Sequence, residues 1–307
     1  MTVDIWGYIE DKRKKVGERI NQWISEIKLH AENLWKVFEK GKRLRSVLTI
    51  LIGEALGFKE EDVIDFATAI EFVHNATLIH DDIIDSHSVR RGSATLWKTI
   101  GIHDAVITGD LLFTFTGHKL SSISMRALEI ITRAIYKVTR GVYLETNPLA
   151  GKHYGHELYA VINRLKTAEL FGAASKLGSI LTENEEIETA MYNYGIALGE
   201  AYQYADDLVD VVQLVNEENP EIDLKPIRLL ISYMLEDSDL HHLINETSKE
   251  EIVEILRKNE AENYLKKQIE QKIKKAEKMA NKLPESKHRN VLKAIPRLMV
   301  GAMLKEI

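Results

Sequence analysis

The first proline of the chain is Pro148. The residues before it are rich in Leu, Ile, Ala, Glu and Lys, and nothing there removes a backbone donor or clashes with a preceding turn. Long helices are therefore the structure this stretch forms most readily. Val63, Phe66, Ala67, Ile70, Val73 and Thr77 make an apolar stripe at helical spacing that runs toward His80 and Asp81. Ile187, Met191, Tyr194, Ile196, Leu198 and Tyr202 lead, less cleanly, toward Asp206. The Val/Ile-rich pieces, such as residues 47–52, lack alternating partners and flanking Asn-Gly or Asp-Gly turns, so no sheet is expected. Breaks fall near Gly57, Arg91-Gly92 and Gly101, and within 148–155, 182–185 and 219–226. None is a flexible linker, so residues 1–307 read as a single all-α domain.

Composition narrows the function. With 45% hydrophobic and 29% charged residues the chain can bury a large core. The absence of cysteine excludes a disulfide scaffold, a thiol nucleophile and a thiolate-bound metal. A net charge of −6 argues against nucleic acid as a partner. With no signal-peptide core and no run of 18 apolar residues, neither secretion nor membrane insertion is expected, and a cytoplasmic location is. Residues 249–282, dense in Lys and Glu, read as an amphipathic helix with a solvated, ion-paired face.

The chemistry is concentrated in two aspartate motifs of one spacing, D-D-x-x-D. Asp81, Asp82 and Asp85 form the first, and Asp206, Asp207 and Asp210 the second. On a helix, residues four apart share a face, so Asp81 with Asp85, and Asp206 with Asp210, present paired carboxylates. Each motif lies among apolar residues, where crowded negative charge is costly unless a cation offsets it. Hard oxygen ligands favour Mg²⁺, which binds a few carboxylates and completes its shell with water and substrate phosphates. A single such motif is commonly mere surface; two inside apolar helices are not. A ferritin-like di-iron site would need two Glu-x-x-His motifs, and only Glu71-x-x-His74 fits. His153, His156 and Glu157 lie in a Gly/Pro-punctuated loop and read as surface. No phosphate-binding glycine loop of the nucleotide folds occurs.

Basic groups that could hold a diphosphate come in short pieces. Lys42, Arg43 and Arg45 stand at the entry to an apolar helix, whose N-terminus favours anions. Arg90 and Arg91 follow Asp85 and are expected about a turn and a half further along the same helix. Lys166-Thr167 and Gln203 lie closer to the second motif.

This order of motifs resembles the trans-isoprenyl diphosphate synthases, or polyprenyl synthetases, from Lys40 to about Leu292. Gly41-Lys42-Arg43-Leu44-Arg45, His74 seven residues before Asp81, Arg90-Arg91-Gly92, Gly109-Asp110-Leu111-Leu112, Lys166-Thr167 and Gln203 before Asp206-Asp207 are each similar to a family motif. The resemblance implies a bundle of long helices around a central cavity, and Mg²⁺-dependent condensation of isopentenyl diphosphate with an allylic diphosphate. It implies that Lys42, Arg45, His74 and Arg91 hold isopentenyl diphosphate, and that Arg90, Lys166, Thr167 and Gln203 surround the allylic diphosphate. Lys166, Thr167 and Gln203 would also offer oxygen dipoles to the allylic cation. Asp81, Asp85 and Asp206 would be the principal ligands of several Mg²⁺ ions, supported by Asp82, Asp207 and Asp210. Ala76 and Thr77, with Val73 in the next layer, would form an open floor below Asp81, so that the product is geranylgeranyl diphosphate or longer. A homodimer is expected.

Several positions depart from the family pattern. Ser46 stands where proline is usual, and residues 141–145 read Gly-Val-Tyr-Leu-Glu where a Gly-Gln pair is common. The loop over 211–228 offers only Lys225 where two Gly-Lys elements are usual. A non-catalytic subunit of a hetero-oligomeric synthase, or a terpene cyclase of similar fold, are the competing readings. The first is disfavoured by two intact aspartate motifs, the second by a separate Lys42/Arg45/His74 site.

Overall fold

The structure, a computed structural model, describes residues 4–28, 31–39, 41–216, 222–236 and 247–306. As expected, it is all-α. The helices are α1 (Ile5–Ile27), α2 (Ala31–Glu39), α3 (Leu44–Ala55), α4 (Glu60–Ile84), α5 (Leu96–Ile100), α6 (Ile102–Ile123), α7 (Met125–Thr146), α8 (Leu158–Ile162), α9 (Glu169–Ser179), α10 (Glu185–Val215) and α11 (Leu224–Leu235). They are followed by α12 (Lys249–Lys258), α13 (Ala261–Ala280) and α14 (Lys287–Met303). Among the described residues the only strands are β1 (Val89–Arg90) and β2 (Ser93–Ala94), an antiparallel pair.

The helix limits follow local chemistry. Asp4 caps α1 by accepting the Gly7 N–H at 2.9 Å, and Lys28 ends it in the left-handed region. Glu60, Glu61 and Asp62 fill the first turn of α4, where the helix dipole favours acids. Ser248 and Glu251 form a capping box that starts α12. The amphipathic helix expected over 249–282 is two helices, because the chain turns at Asn259 and at Glu260, whose φ is +49°.

The chain forms two compact units. The first comprises residues 1–135, 173–188 and 284–288; the second comprises 136–172, 189–283 and 289–307. In the first unit α4 packs against α3 and α6, and α1 packs on α3 and α4. Trp23, Phe38, Phe72 and Phe115 cluster there with ring centroids 4.8–6.0 Å apart. In the second unit Tyr204, Leu208, Val211 and Leu214 of α10 are buried in one apolar cluster with residues of α8, α11, α12 and α13. Residues 158–179 follow one helical path, but its middle, Asn163–Ala168, winds as a π-helix.

One expectation fails here. Arg90 and Arg91 do not continue α4. The helix ends at Asp85, Ser86 turns left-handed at φ +56°, and the chain enters the β1–β2 hairpin. Arg91 and Gly92 form its two-residue turn, with φ of +52° and +72°. A type I′ hairpin turn takes positive φ at both central positions, and here an Arg-Gly pair supplies it.

Candidate active site

In the first unit, Asp81, Asp82 and Asp85 occupy the last turn and C-cap of α4, with no basic residue in that turn. A helix C-terminus already carries partial negative charge, so this is the least favourable place for three carboxylates. Asp82 is buried and pairs with Arg90 Nε at 2.6 Å, with His87 Nδ1 3.9 Å away. Burial holds its carboxyl above the usual range, opposed by the Arg90 guanidinium. Asp81 is half-buried and Asp85 exposed. The neighbouring His80 is seated by α6: its Nε2 donates to the Val106 carbonyl at 3.1 Å and lies 3.7 Å from Asp110. Gly109 leaves the room this ring needs, which accounts for the Gly109-Asp110 pair seen in the sequence.

The basic groups predicted for isopentenyl diphosphate gather in the same unit. Arg45 Nη1 lies 3.3 Å from His74 Nε2. A guanidinium only donates, so His74 accepts, and its ring is neutral with the proton on Nδ1. Burial lowers the His74 pKa well below its ordinary value, reinforced by the charges of Arg45, Arg91 and Arg90. Lys42 and Arg91 are exposed. Arg43 turns inward instead, donating to the carbonyls of Arg13 at 2.8 Å and Phe38 at 3.1 Å. Of the floor positions, Val73 and Ala76 are wholly buried, whereas Thr77 is half-buried and donates its hydroxyl to the His74 carbonyl at 2.7 Å.

In the second unit, α10 carries Gln203 and the second aspartate motif. Gln203 accepts the Thr167 hydroxyl at 2.8 Å and donates to Asp207 Oδ1 at 3.1 Å. The other Asp207 oxygen accepts a hydrogen bond from the Tyr159 hydroxyl. Burial pushes the Asp207 carboxyl up to about 7, against those two hydrogen bonds and with the help of Asp206 and Asp210. Asp210 is pushed up to about 6 by burial, Asp206 and Asp223. Asp206 is exposed.

Lys166 and Thr167 lie in the π turn. Lys166 forms an ion pair with Glu145 in the last turn of α7, and Lys225 Nζ donates to the carbonyl of Thr146 at 3.1 Å. The end of α7 thus holds both lysines. Gly141 permits this, since a Cβ there would stand 2.6 Å from the Lys166 backbone nitrogen. Residues 217–221, part of the loop expected to carry the altered lid, lie outside the described residues.

Carboxylate crowding and burial in both motifs fit a divalent cation bound through oxygen. Among the described residues no three His, Asp or Glu side chains enclose a metal by themselves. This donor set suits an ion that keeps waters and takes substrate phosphate as further ligands. His153 lies against Tyr154 with the two rings tilted, and His156 lies 3.4 Å from Glu157, so these histidines make only local contacts.

Two residues in these networks, Tyr159 and Glu145, were not singled out from the sequence as site residues. Tyr159 carried no signal beyond an aromatic in an apolar run. Glu145 was visible only as a departure from pattern.

The polyprenyl synthetase family profile matches residues 27–279. The chain is 35% identical to the geranylgeranyl pyrophosphate synthase of Geoglobus acetivorans over 216 residues, 66% of this chain and 67% of that one. It is 34% identical to the octaprenyl diphosphate synthase of Escherichia coli (strain K12) over 172 residues, 55% of this chain and about half (53%) of that one. The fold matches the geranylgeranyl pyrophosphate synthetase from Pyrococcus horikoshii with a TM-score of 0.81 and 27% identity, over 97% of this chain and 98% of that one. Together these matches show that the chain belongs to the polyprenyl synthetase family of trans-prenyltransferases.

Proposed function

We propose that the chain condenses isopentenyl diphosphate with an allylic diphosphate and releases a trans-polyprenyl diphosphate of geranylgeranyl length or longer. The observation that carries this is that each D-D-x-x-D motif shares its unit with its own set of diphosphate-binding groups. Arg45, His74 and Arg91 gather in the first unit, and Lys166, Thr167, Gln203 and Lys225 are drawn together in the second. Neither unit is a contiguous segment of the chain, which supports one domain working as a whole.

Lys42, Arg45, His74 and Arg91 bind isopentenyl diphosphate and aim its double bond. Lys166 and Lys225 bind the allylic diphosphate, and their ammonium charges favour departure of the diphosphate with the bonding electron pair. Several Mg²⁺ ions held by Asp81, Asp85 and Asp206, with Asp82, Asp207 and Asp210 in support, would neutralise that leaving group. The Thr167 hydroxyl, the Lys166 carbonyl and the Gln203 amide turn oxygen dipoles toward the positive carbon. The double bond of isopentenyl diphosphate then attacks, and loss of a proton restores an alkene one isoprene unit further on. Positioning supplies much of the rate, and no side-chain nucleophile takes part.

We also assign a homodimer, supported by the exposed Ile102, Val106 and Ile107 along α6. A cytoplasmic location accords with the lack, among the described residues, of any helix long and apolar enough to cross a membrane. Incubating the purified chain with Mg²⁺, labelled isopentenyl diphosphate and a set of allylic primers tests the activity. Label should enter an acid-labile, chain-extended product; incorporation only after a partner chain is added would mark a non-catalytic subunit instead.

A further inference from the structure

Glu71 is an acid enclosed by the first unit's core, with 2% of its surface exposed. A buried carboxylate is expensive unless donors and positive charge surround it. Here both oxygens are engaged. Ser46 Oγ donates to Oε2 at 2.6 Å, and Asn75 Nδ2 donates to Oε1 at 3.2 Å while also bonding the Glu71 carbonyl at 2.8 Å. Ser46 stands in the first turn of α3, directly after Arg45, so its hydroxyl ties that turn to the His74 segment of α4.

The surroundings are cationic. A Cβ added at Gly41 would lie 3.3 Å from Glu71 Oε1 and 3.5 Å from Arg91 Nη1, so the acid and this guanidinium both approach the backbone next to Lys42. Arg43 feels the Glu71 charge favourably. His74, one turn after Glu71, is neutral and offsets nothing. A negative charge beside a diphosphate pocket weakens anion binding by direct repulsion, so Glu71 must contribute through the positions of the groups around it.

We infer that Glu71 is the positioning residue of the isopentenyl diphosphate pocket: through its bond to Ser46 and its place against Gly41 it sets where Lys42, Arg45 and Arg91 present their charges. This rests on the assignment of that pocket to isopentenyl diphosphate. It also gives a purpose to Ser46 in place of the family's usual proline, which has no hydroxyl to donate.

The test is steady-state kinetics with each substrate varied in turn, alongside thermal melting. Glu71→Gln cannot accept on both side-chain atoms. It should raise KM for isopentenyl diphosphate about tenfold, with KM for the allylic diphosphate and kcat within about twofold. Ser46→Ala, which removes one hydroxyl and is the milder change for folding, should show the same split at about threefold. Unchanged KM for isopentenyl diphosphate in both variants overturns the inference. So does a parallel worsening of all parameters with a lowered Tm, the signature of a merely structural acid. Lys42→Ala separates the two levels: if it leaves KM for isopentenyl diphosphate unchanged, the pocket assignment itself fails.

Discussion

A neutral histidine among guanidinium groups has a consequence for stability. The His74 pKa lies well below its ordinary 6.5 because of burial, then Arg45, Arg91 and Arg90. Below about pH 6.5 the unfolded chain takes up a proton that the folded ring refuses, so His74 makes stability fall as pH drops toward the folded value. The stability linked to the neutral ring is fully present above pH 6.5. Comparing urea midpoints at pH 7.5 and 5 should show a smaller loss in His74→Gln than in the parent chain. An equal loss in both proteins would remove His74 as the source. At this scale the sequence revealed the groups that bear charge in recognisable spacing, including both aspartate motifs and His74. It did not reveal Glu71, Glu145 or Tyr159, whose meaning comes from partners 25, 21 and 48 residues away.

Among the helices, periodicity located α4 and α10 and the motifs they carry, because an apolar stripe of helical period is a property of the local sequence. Two features depended on backbone geometry that the pattern does not encode. One is the β1–β2 hairpin, which takes Arg90 off the α4 axis and lets it pair with Asp82. The other is the π turn at Asn163–Ala168, which carries Lys166 and Thr167. α7 approaches that turn through Gly141, and an added methyl there would also meet Leu165 Cβ at 2.9 Å. Gly141→Ala should therefore cost about 1–3 kcal/mol by overpacking. It should also slow turnover about tenfold or more by shifting Lys166 from its working position. Calorimetry and single-turnover rates check both, and an Ala variant as stable and as fast as the parent would show that α7 can move aside freely.

For the molecule as a catalyst, the proposed floor along α4 below Asp81 makes product length the property to test. Val73 and Ala76 are closed into the core, and only Thr77, one turn before Asp81, retains exposed surface. Chromatography of the dephosphorylated products should show chains of twenty carbons or more, and Thr77→Phe should shorten them. Farnesyl diphosphate as the sole end product of the unaltered chain would refute the proposed floor at Thr77.

The way the chain shares itself between its two units bears on how it can be made. His288 lies 3.4 Å from Glu54, and its segment, 284–288, belongs to the first unit although it follows α13 of the second in the chain. A ribosome must therefore release α13 before the first unit's helices meet this neighbour. No single cut liberates either half intact, so truncated messages or fragment libraries should yield aggregation-prone intermediates rather than a minimal working piece.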